Sequence, residues 1–164
     1  MQSQLLKLLE YNKAIRKDLQ VLSEPLTSLH GLSLLTFRRF YNTGELFYIF
    51  NNPVWMDYCF QHTCWNSFSF NSRIQKLSTQ KFVNYVWPRV PDPNDPTYCA
   101  LYDHNIWNGV IMYRKYERYV EAFAFASTKE NLILKNFYAD GLNILNNFIL
   151  YFKDKAHHLL HPPG

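Results

Sequence analysis

Glycine is scarce in this chain, which has 5 glycines among 164 residues. Loops that cradle phosphate groups need several glycines at fixed spacing, as in Gly-x-x-x-x-Gly-Lys-Ser/Thr or Gly-x-Gly-x-x-Gly, and neither pattern occurs. The Gly-x-Ser-x-Gly sequence that holds a nucleophilic serine on a sharp turn is missing too. The shortage of glycine therefore disfavours nucleotide-dependent enzymes and serine hydrolases.

Cysteines and uninterrupted apolar runs are also few. The three cysteines, Cys59, Cys64 and Cys99, form no Cys-x-x-Cys pair, so the sequence predicts neither a disulfide framework nor a zinc site. Charged residues such as Lys7, Glu10 and Lys13 interrupt the apolar pattern of the first 22 residues, which a signal peptide or a membrane span would not tolerate. We therefore expect a cytoplasmic protein that does not associate with a membrane.

Charge is low and evenly spread. The chain has 17 Lys and Arg against 13 Asp and Glu, and its densest basic groups are Arg38-Arg39 and residues 153–155. This is too little positive charge for a nucleic-acid-binding surface. By contrast, 48% of the residues are hydrophobic, so the sequence predicts one folded domain over residues 1–164. Aromatic residues make up 18% of the chain, which indicates a lined cavity, an interface or a densely filled core.

Hydrophobic periodicity predicts helices at the two ends and strands between them. A helix is expected up to about Leu22, ended by Glu24-Pro25, and the same pattern predicts a second one of about 30 residues that reaches about Leu160. Ser127-x-x-Glu130 has the form of a capping box at the start of that last helix. A shorter helix that carries Trp55 is expected after Asn52-Pro53, because proline is tolerated in a first helical turn.

Two hairpins are expected in the middle of the chain, over residues 31–50, with a turn at 42–45, and over residues 109–127. Neither hairpin can bury its apolar face alone, so both should join one antiparallel sheet of about five strands with helices on its faces. Residues 63–81 and the proline-rich stretch after Trp87 are expected to be long connections or a lid. The predicted fold class is α+β.

The candidate metal ligands and catalytic residues do not form a recognisable active site. His157 and His161 share one helical face, but no third metal ligand follows, and Asp92, Asp95 and Asp103 lie where aspartate normally initiates turns. We therefore expect no catalytic site, no metal site and no cofactor. The remaining candidates are aromatic residues that are expected to line a small-molecule pocket beside the sheet. They are Tyr48, Trp55, Tyr58, Trp65, Trp87 and Trp107.

Several short motifs follow one another in a fixed order between about residue 25 and residue 160. They are Asn42-Thr43-Gly44, Asn52-Pro53-x-Trp55-x-x-Tyr58, Trp87, His104-x-x-x-x-Gly109-Val110, Glu121-x-Phe123-Ala124-Phe125-Ala126-Ser127 and a helix that ends at residues 148–156. Together they resemble the N-terminal sensor domain of LuxR-type transcription regulators. The resemblance implies an α-β-α sandwich with a five-stranded antiparallel sheet, related to PAS and GAF sensors, that holds an acyl-homoserine lactone between sheet and helices.

The resemblance also implies roles for individual residues. Trp55 resembles the family's tryptophan that contacts the lactone carbonyl, and Tyr58 resembles its helical tyrosine. Trp87 resembles the later pocket tryptophan, and Gly109 resembles the glycine that opens the following strand. The remaining candidates for ligand contact are Tyr48, Trp65 and Ser127.

Two features depart from the family pattern. An Asp-Pro whose aspartate accepts the ligand's amide hydrogen should follow Tyr58 by roughly ten residues, where this chain reads His-Thr-Cys-Trp-Asn-Ser-Phe over residues 62–68. We therefore expect no tight binding of acyl-homoserine lactones, although Asn66 or Ser67 offers a neutral acceptor. The family also continues into a DNA-reading helix-turn-helix, and these 164 residues contain none.

The leading functional prediction is therefore a sensory and dimerisation domain. As a homodimer it would respond to a small molecule or a partner and control a helix-turn-helix domain outside this chain. The alternative is a stand-alone sensor that modulates a full-length regulator by forming heterodimers with it. An unrecognised small enzyme is the third class, disfavoured because no activated group of residues was found.

Overall fold

The structure, a computed structural model, describes residues 2–62 and 80–161. Trp65 and the segment expected to contain the lactone's acceptor, residues 63–68, lie outside the described residues. The ligand contact predicted for Trp65 and the neutral acceptor predicted at Asn66 or Ser67 therefore stay predictions.

One antiparallel sheet organises the described chain. Its five strands stand in the order β2-β1-β5-β4-β3, and both predicted hairpins belong to it, as the sequence predicted. The strands are β1 Leu34–Tyr41, β2 Leu46–Phe50, β3 Phe82–Val86, β4 Trp107–Lys115 and β5 Tyr119–Ser127.

The turn of the first hairpin falls where the sequence placed it. The Gly44 N–H donates to the carbonyl of Tyr41 over 2.9 Å, and the Tyr41 N–H donates to the carbonyl of Glu45 over 2.9 Å. Gly44 has φ +90°, a conformation that residues with a Cβ rarely adopt. Glycine at this position therefore fixes the turn and with it the register of β1 against β2.

Helices cover both faces of the sheet, which confirms the α-β-α sandwich. They are α1 Gln2–Ala14, α2 Arg16–Thr27, α3 Pro53–His62, α4 Pro96–Asp103, α5 Leu134–Asp140 and α6 Leu142–Lys155, followed by a 3-10 turn at His157–Leu159. The α6 residues Phe148 and Phe152 pack their rings against Phe125 and Phe123 of β5. Side chains of α3 and α4 lie over the other face, above Ala124. Successive strand residues thus meet different helical layers.

Strand β2 is an edge strand, and the side chain of one helical residue covers its backbone. Asn12 of α1 donates through Nδ2 to the carbonyl of Tyr48 over 2.8 Å and accepts from the Phe50 N–H through Oδ1 over 3.0 Å. Asn12 is buried, so these bonds satisfy backbone groups that water does not reach. The side chain substitutes for a neighbouring strand along this part of the edge.

Three boundaries differ from the sequence prediction. The first helix is interrupted at Ile15 rather than ended by Pro25, which lies inside α2 near its end, where it removes a single N–H donor. The predicted capping box is wrong, because Ser127 is the last residue of β5 and the next helix begins at Leu134. The predicted terminal helix is two helices divided at Gly141, whose N–H donates to the Phe137 carbonyl over 2.7 Å.

Two elements had no counterpart in the sequence prediction. Strand β3 is a short edge strand with alternating exposure, and within residues 2–62 and 80–161 its strand partner is β4. Helix α4 begins after Asp95, whose carboxylate accepts from the Tyr98 N–H over 3.1 Å, with Pro96 as its first residue. The Asp-Pro pair that the sequence analysis assigned to a turn is therefore a helix start.

Candidate functional site

The floor of a cavity is formed by the sheet face that points away from α6. In β1 the side chains of Leu34, Thr36 and Arg38 alternate onto this face. Thr36 pairs with Ala124 of β5, and Ala124 pairs with Ile111 of β4. Because alanine fills little volume, the central strand leaves space between its bulkier neighbours.

The wall of the cavity comes from α3, from the segment after β3 and from α4. Trp55 stands in the first turn of α3, which begins at this point because Asn52 Oδ1 accepts from the Trp55 N–H over 3.0 Å. Trp87 packs its ring against Tyr98 of α4 with centroids 5.2 Å apart. The residues that line the cavity are Leu34, Thr36, Arg38, Tyr48, Trp55, Trp87, Thr97, Tyr98, Leu101, Ile111, Tyr113 and Ala124.

Gly109 allows Trp87 to lie directly on β4. A Cβ at position 109 would stand 2.7 Å from two ring carbons of Trp87 and 2.8 Å from the carbonyl oxygen of Phe125. The backbone N–H of Trp87 donates to the carbonyl of Gly109 over 2.9 Å, which holds residue 87 beside that strand. Glycine is required here because the backbone and the ring approach more closely than a side chain permits.

The cavity is small. Its volume is about 30 Å³, which is room for one or two water molecules. Pockets that enclose a drug-sized ligand measure roughly 300–1,000 Å³. A ligand of that size therefore requires side chains of the α3 and α4 layer to move away from the sheet.

The polar lining is rich in hydrogen-bond donors. The guanidinium carbon of Arg38 lies 5.2 Å from the centre of the Tyr48 ring, with which Arg38 is paired across β1 and β2. Trp87 is 3% exposed, and its Nε1 has no hydrogen-bond acceptor within residues 2–62 and 80–161. The indole of Trp107 differs, because its Nε1 donates to the carbonyls of both Pro88 and Arg89.

The sequence-predicted site residues separate into two groups. Tyr48, Trp55 and Trp87 line the cavity together, and Gly109 supports Trp87 from below. Tyr58 stacks on Trp55, with ring centroids 5.2 Å apart and 11° between the planes, and it does not appear among the described residues of the lining. Their roles as ligand contacts stay predictions.

Ser127 stands at a different place. Its hydroxyl donates to the carbonyl of Gly31 over 2.8 Å and accepts from the Asn131 side chain over 3.1 Å. It thus joins the end of β5 to the loop before β1, which gives it a structural role. Trp107, which the sequence placed around the pocket, packs against Trp87 with centroids 5.2 Å apart.

Five polar residues of the lining were not predicted from the sequence as site residues: Thr36, Arg38, Thr97, Tyr98 and Tyr113. The alternation along β1 predicts that Arg38 and Thr36 lie on the same face of the sheet. It does not predict whether that face lines the cavity, because most residues of β1 are buried on both sides. Tyr98 belongs to α4, a helix that was not predicted because the proline-rich composition of this segment is typical of a loop.

The opposite sheet face holds a buried ion cluster. Glu121 is fully buried and accepts from Arg39 through Oε2 over 2.6 Å and from Lys153 of α6 through Oε1 over 2.6 Å. Arg39 also donates to the carbonyl of Leu160 over 2.8 Å. Burial by itself would lower the pKa of Lys153, but its hydrogen bond to Glu121 and the charge of that carboxylate outweigh burial and raise the pKa.

In the ranges 2–62 and 80–161, no three His, Cys, Asp or Glu side chains are grouped so as to hold a metal ion. No helix within these ranges combines the length and the apolar character needed to cross a bilayer.

Comparison with known proteins gives a match in structure. No family model matches the chain, and no curated protein matches it in sequence. Among solved structures, the chain is similar to the N-acylhomoserine lactone dependent LuxR-family transcription factor CepR2 from Burkholderia cenocepacia. The TM-score is 0.58 and the identity is 12%, and the match covers 96% of each chain. The chain therefore has the fold of this LuxR-family protein over nearly its whole length, as its ordered motifs predicted.

Proposed function

We propose that this chain is the sensory and dimerisation domain of a LuxR-type transcription regulator. A small molecule or a partner would favour one conformation of the domain and thereby control a helix-turn-helix domain outside this chain. The observation that carries the proposal is the aromatic cavity lined by Tyr48, Trp55 and Trp87, in a chain whose fold matches that of a lactone-dependent transcription factor. The domain would act by binding a ligand that shifts the populations of its two conformations, and it would catalyse no reaction.

The two faces of the sheet provide a physical connection for such a switch. Arg38 lines the cavity, and the next residue of the same strand, Arg39, binds Glu121 and the Leu160 carbonyl on the other face. A ligand that displaces β1 therefore acts on the contacts that hold the end of the described chain. The free energy available to shift the equilibrium equals the difference between the ligand's binding free energies for the two conformations.

The surface of α6 supports a dimerisation role. Ile144, Leu150 and Tyr151 are exposed on this helix, with Leu150 67% accessible. Sedimentation velocity of the purified chain tests this part of the proposal, with Leu150→Asp as the disrupting variant and Leu132→Asp, in the exposed loop before α5, as the matched control. A homodimer that only Leu150→Asp dissociates supports the role, and a monomer at micromolar concentration contradicts homodimerisation.

The coding sequence downstream of Gly164 distinguishes the leading function from its alternative. An in-frame helix-turn-helix supports the regulator. A stop codon there, together with a monomer that binds a full-length regulator, supports the stand-alone sensor that forms heterodimers.

A further inference from the structure

We propose that the cavity binds an organic anion, with the ligand's carboxylate against Arg38 and an apolar or aromatic body between the sheet and Trp55. This inference rests on the proposed sensing function and specifies the chemical class of ligand for the same cavity. It follows from the charge of the lining, from its hydrogen-bonding groups and from its size.

The charge of the lining has one sign. Arg38 is the one formally charged side chain among the lining residues described, and no Asp or Glu belongs to that set. The guanidinium group stays protonated at any ordinary pH and presents five N–H donors in a planar fork that matches a carboxylate. The neighbouring Arg39 shows what such a group binds in this protein, since it meets the Glu121 carboxylate on the opposite face.

Hydrogen-bonding chemistry points to the same ligand class. Each polar side chain in the lining carries at least one donor: Thr36, Arg38, Tyr48, Trp55, Trp87, Thr97, Tyr98 and Tyr113. None of these side chains is an acceptor only, as a carboxylate would be. A ligand that complements this lining is therefore rich in acceptors.

Trp87 adds an independent observation. Its indole is almost fully buried in the cavity wall, yet Nε1 finds no acceptor in the described part of the chain, whereas Trp107 has two. A buried N–H donor that makes no hydrogen bond costs free energy, which a ligand oxygen would recover. The carboxylate has two oxygens, enough to accept from both the guanidinium and the indole.

The size and the apolar part of the lining limit the rest of the ligand. The cavity of about 30 Å³ has room for one or two water molecules, which favours a small ligand of this class. Leu34, Leu101 and Ile111 offer an apolar surface next to Trp55. A monocarboxylate with a small aromatic body matches the chemistry of this lining and enters once side chains of the α3 and α4 layer move away from the sheet.

Isothermal titration calorimetry of the whole chain with matched probes tests the proposal. Benzoate, benzamide and benzylamine share one ring and differ in the charge of the head group. We expect benzoate to bind at least about tenfold more tightly than benzamide, because a hydrogen bond to an ionised acceptor is about twice as strong as a neutral one. Benzylamine should not bind.

Variants assign the effect to the two proposed donors. Arg38→Gln should abolish the preference for benzoate over benzamide, whereas Arg118→Gln, at an exposed arginine in the β4–β5 turn, should preserve it. Arg38→Lys keeps the charge without the fork and should retain a reduced preference, which covers the case in which Arg38→Gln does not fold. In ¹H–¹⁵N spectra, benzoate should shift the indole N–H resonance that Trp87→Phe removes.

The outcomes separate this inference from the proposed function. Equal affinities for benzoate and benzamide, or a benzoate preference that survives Arg38→Gln in a folded protein, would overturn the anion assignment. If neutral ligands bind and Trp55→Ala abolishes their binding, the cavity remains a sensor site and only the ligand class is wrong. If no probe binds the folded chain, the anion proposal fails, and the α6 dimer experiment still tests the proposed function by itself.

Discussion

Arg39 and Glu121 form a buried ion pair across neighbouring strands, with Nη2 of the arginine 2.6 Å from Oε2 of the glutamate. They are directly opposite each other in the register of β1 and β5. Lys153 of α6 completes the cluster from the helical layer. The cluster of these three residues therefore holds the sheet and α6 together on the face opposite the cavity.

Removing the charge of Glu121 should destabilise the fold strongly. Glu121→Gln leaves the buried Arg39 and the half-buried Lys153 without their carboxylate, and removing one partner of a buried ion pair costs about 3–5 kcal/mol. Urea denaturation followed by circular dichroism measures the free energy of unfolding. Glu117→Gln, at an exposed position of the β4–β5 turn, is the matched control and should change stability by less than about 0.5 kcal/mol. A loss below 1 kcal/mol for Glu121→Gln would show that the cluster contributes little.

Alkaline pH should weaken the same cluster. The pKa of Lys153 is raised in the folded protein, so its contribution is fully present below the unfolded-state pKa of about 10.5 and is lost as pH rises through the folded pKa. The thermal midpoint should therefore fall above about pH 10.5, in part because of this lysine. Lys153→Met removes the titrating group.

Tyr138 contributes to alkaline unfolding as well, because burial raises the pKa of its phenol. The informative quantity is therefore the difference in midpoint between wild type and Lys153→Met, measured from pH 8 to 11.5. This difference should shrink at the alkaline end. A difference that is constant with pH would contradict the assignment to Lys153.

Gly109→Ala should disturb the cavity wall. The new Cβ would stand 2.7 Å from the Trp87 ring and 2.8 Å from the Phe125 carbonyl, and overpacking of this kind costs about 1–3 kcal/mol. The backbone oxygen cannot move as easily as the ring, so Trp87 should be displaced. Denaturation gives the stability, and the indole N–H resonance of Trp87 reports the displacement. An unchanged resonance and unchanged stability would mean that the contact is not tight in solution.

Acyl-homoserine lactones should bind weakly. The chain lacks the family's Asp-Pro after Tyr58, and a buried amide hydrogen without an acceptor costs about 1–3 kcal/mol, or about 5- to 150-fold in affinity. Asn66 or Ser67 could accept in its place, but a neutral acceptor forms a weaker bond than a carboxylate. Calorimetric titration with short- and long-chain lactones measures the affinity. Sub-micromolar binding that Trp55→Ala abolishes would refute this prediction and locate the lactone in the cavity.

Much of the fold could be predicted from local sequence. Alternating residues, the turn at Asn42-Thr43-Gly44 and the Asn52-Pro53 helix start each specify a short segment, because hydrogen bonds and backbone preferences act over a few residues. At Ser127 the local pattern is misleading, because strand pairing with Trp107 overrides the capping sequence. It is also misleading at Asp95-Pro96, since an Asp-Pro pair suits both a turn and a helix start.

The sandwich, its two hairpins and the aromatic residues Tyr48, Trp55 and Trp87 that line the cavity could all be predicted from sequence patterns. Which arginine of the pair Arg38-Arg39 faces that cavity could not be predicted, because it depends on contacts between distant segments. The two side chains point to opposite sides of β1, but both sides are covered by helices, so the local pattern cannot distinguish them. Pairing of β1 with β5 decides it, because this register places Arg39 beside Glu121, more than 80 residues away in sequence, and leaves Arg38 over Ala122. Such contacts depend on long-range strand register, which no short segment of sequence contains.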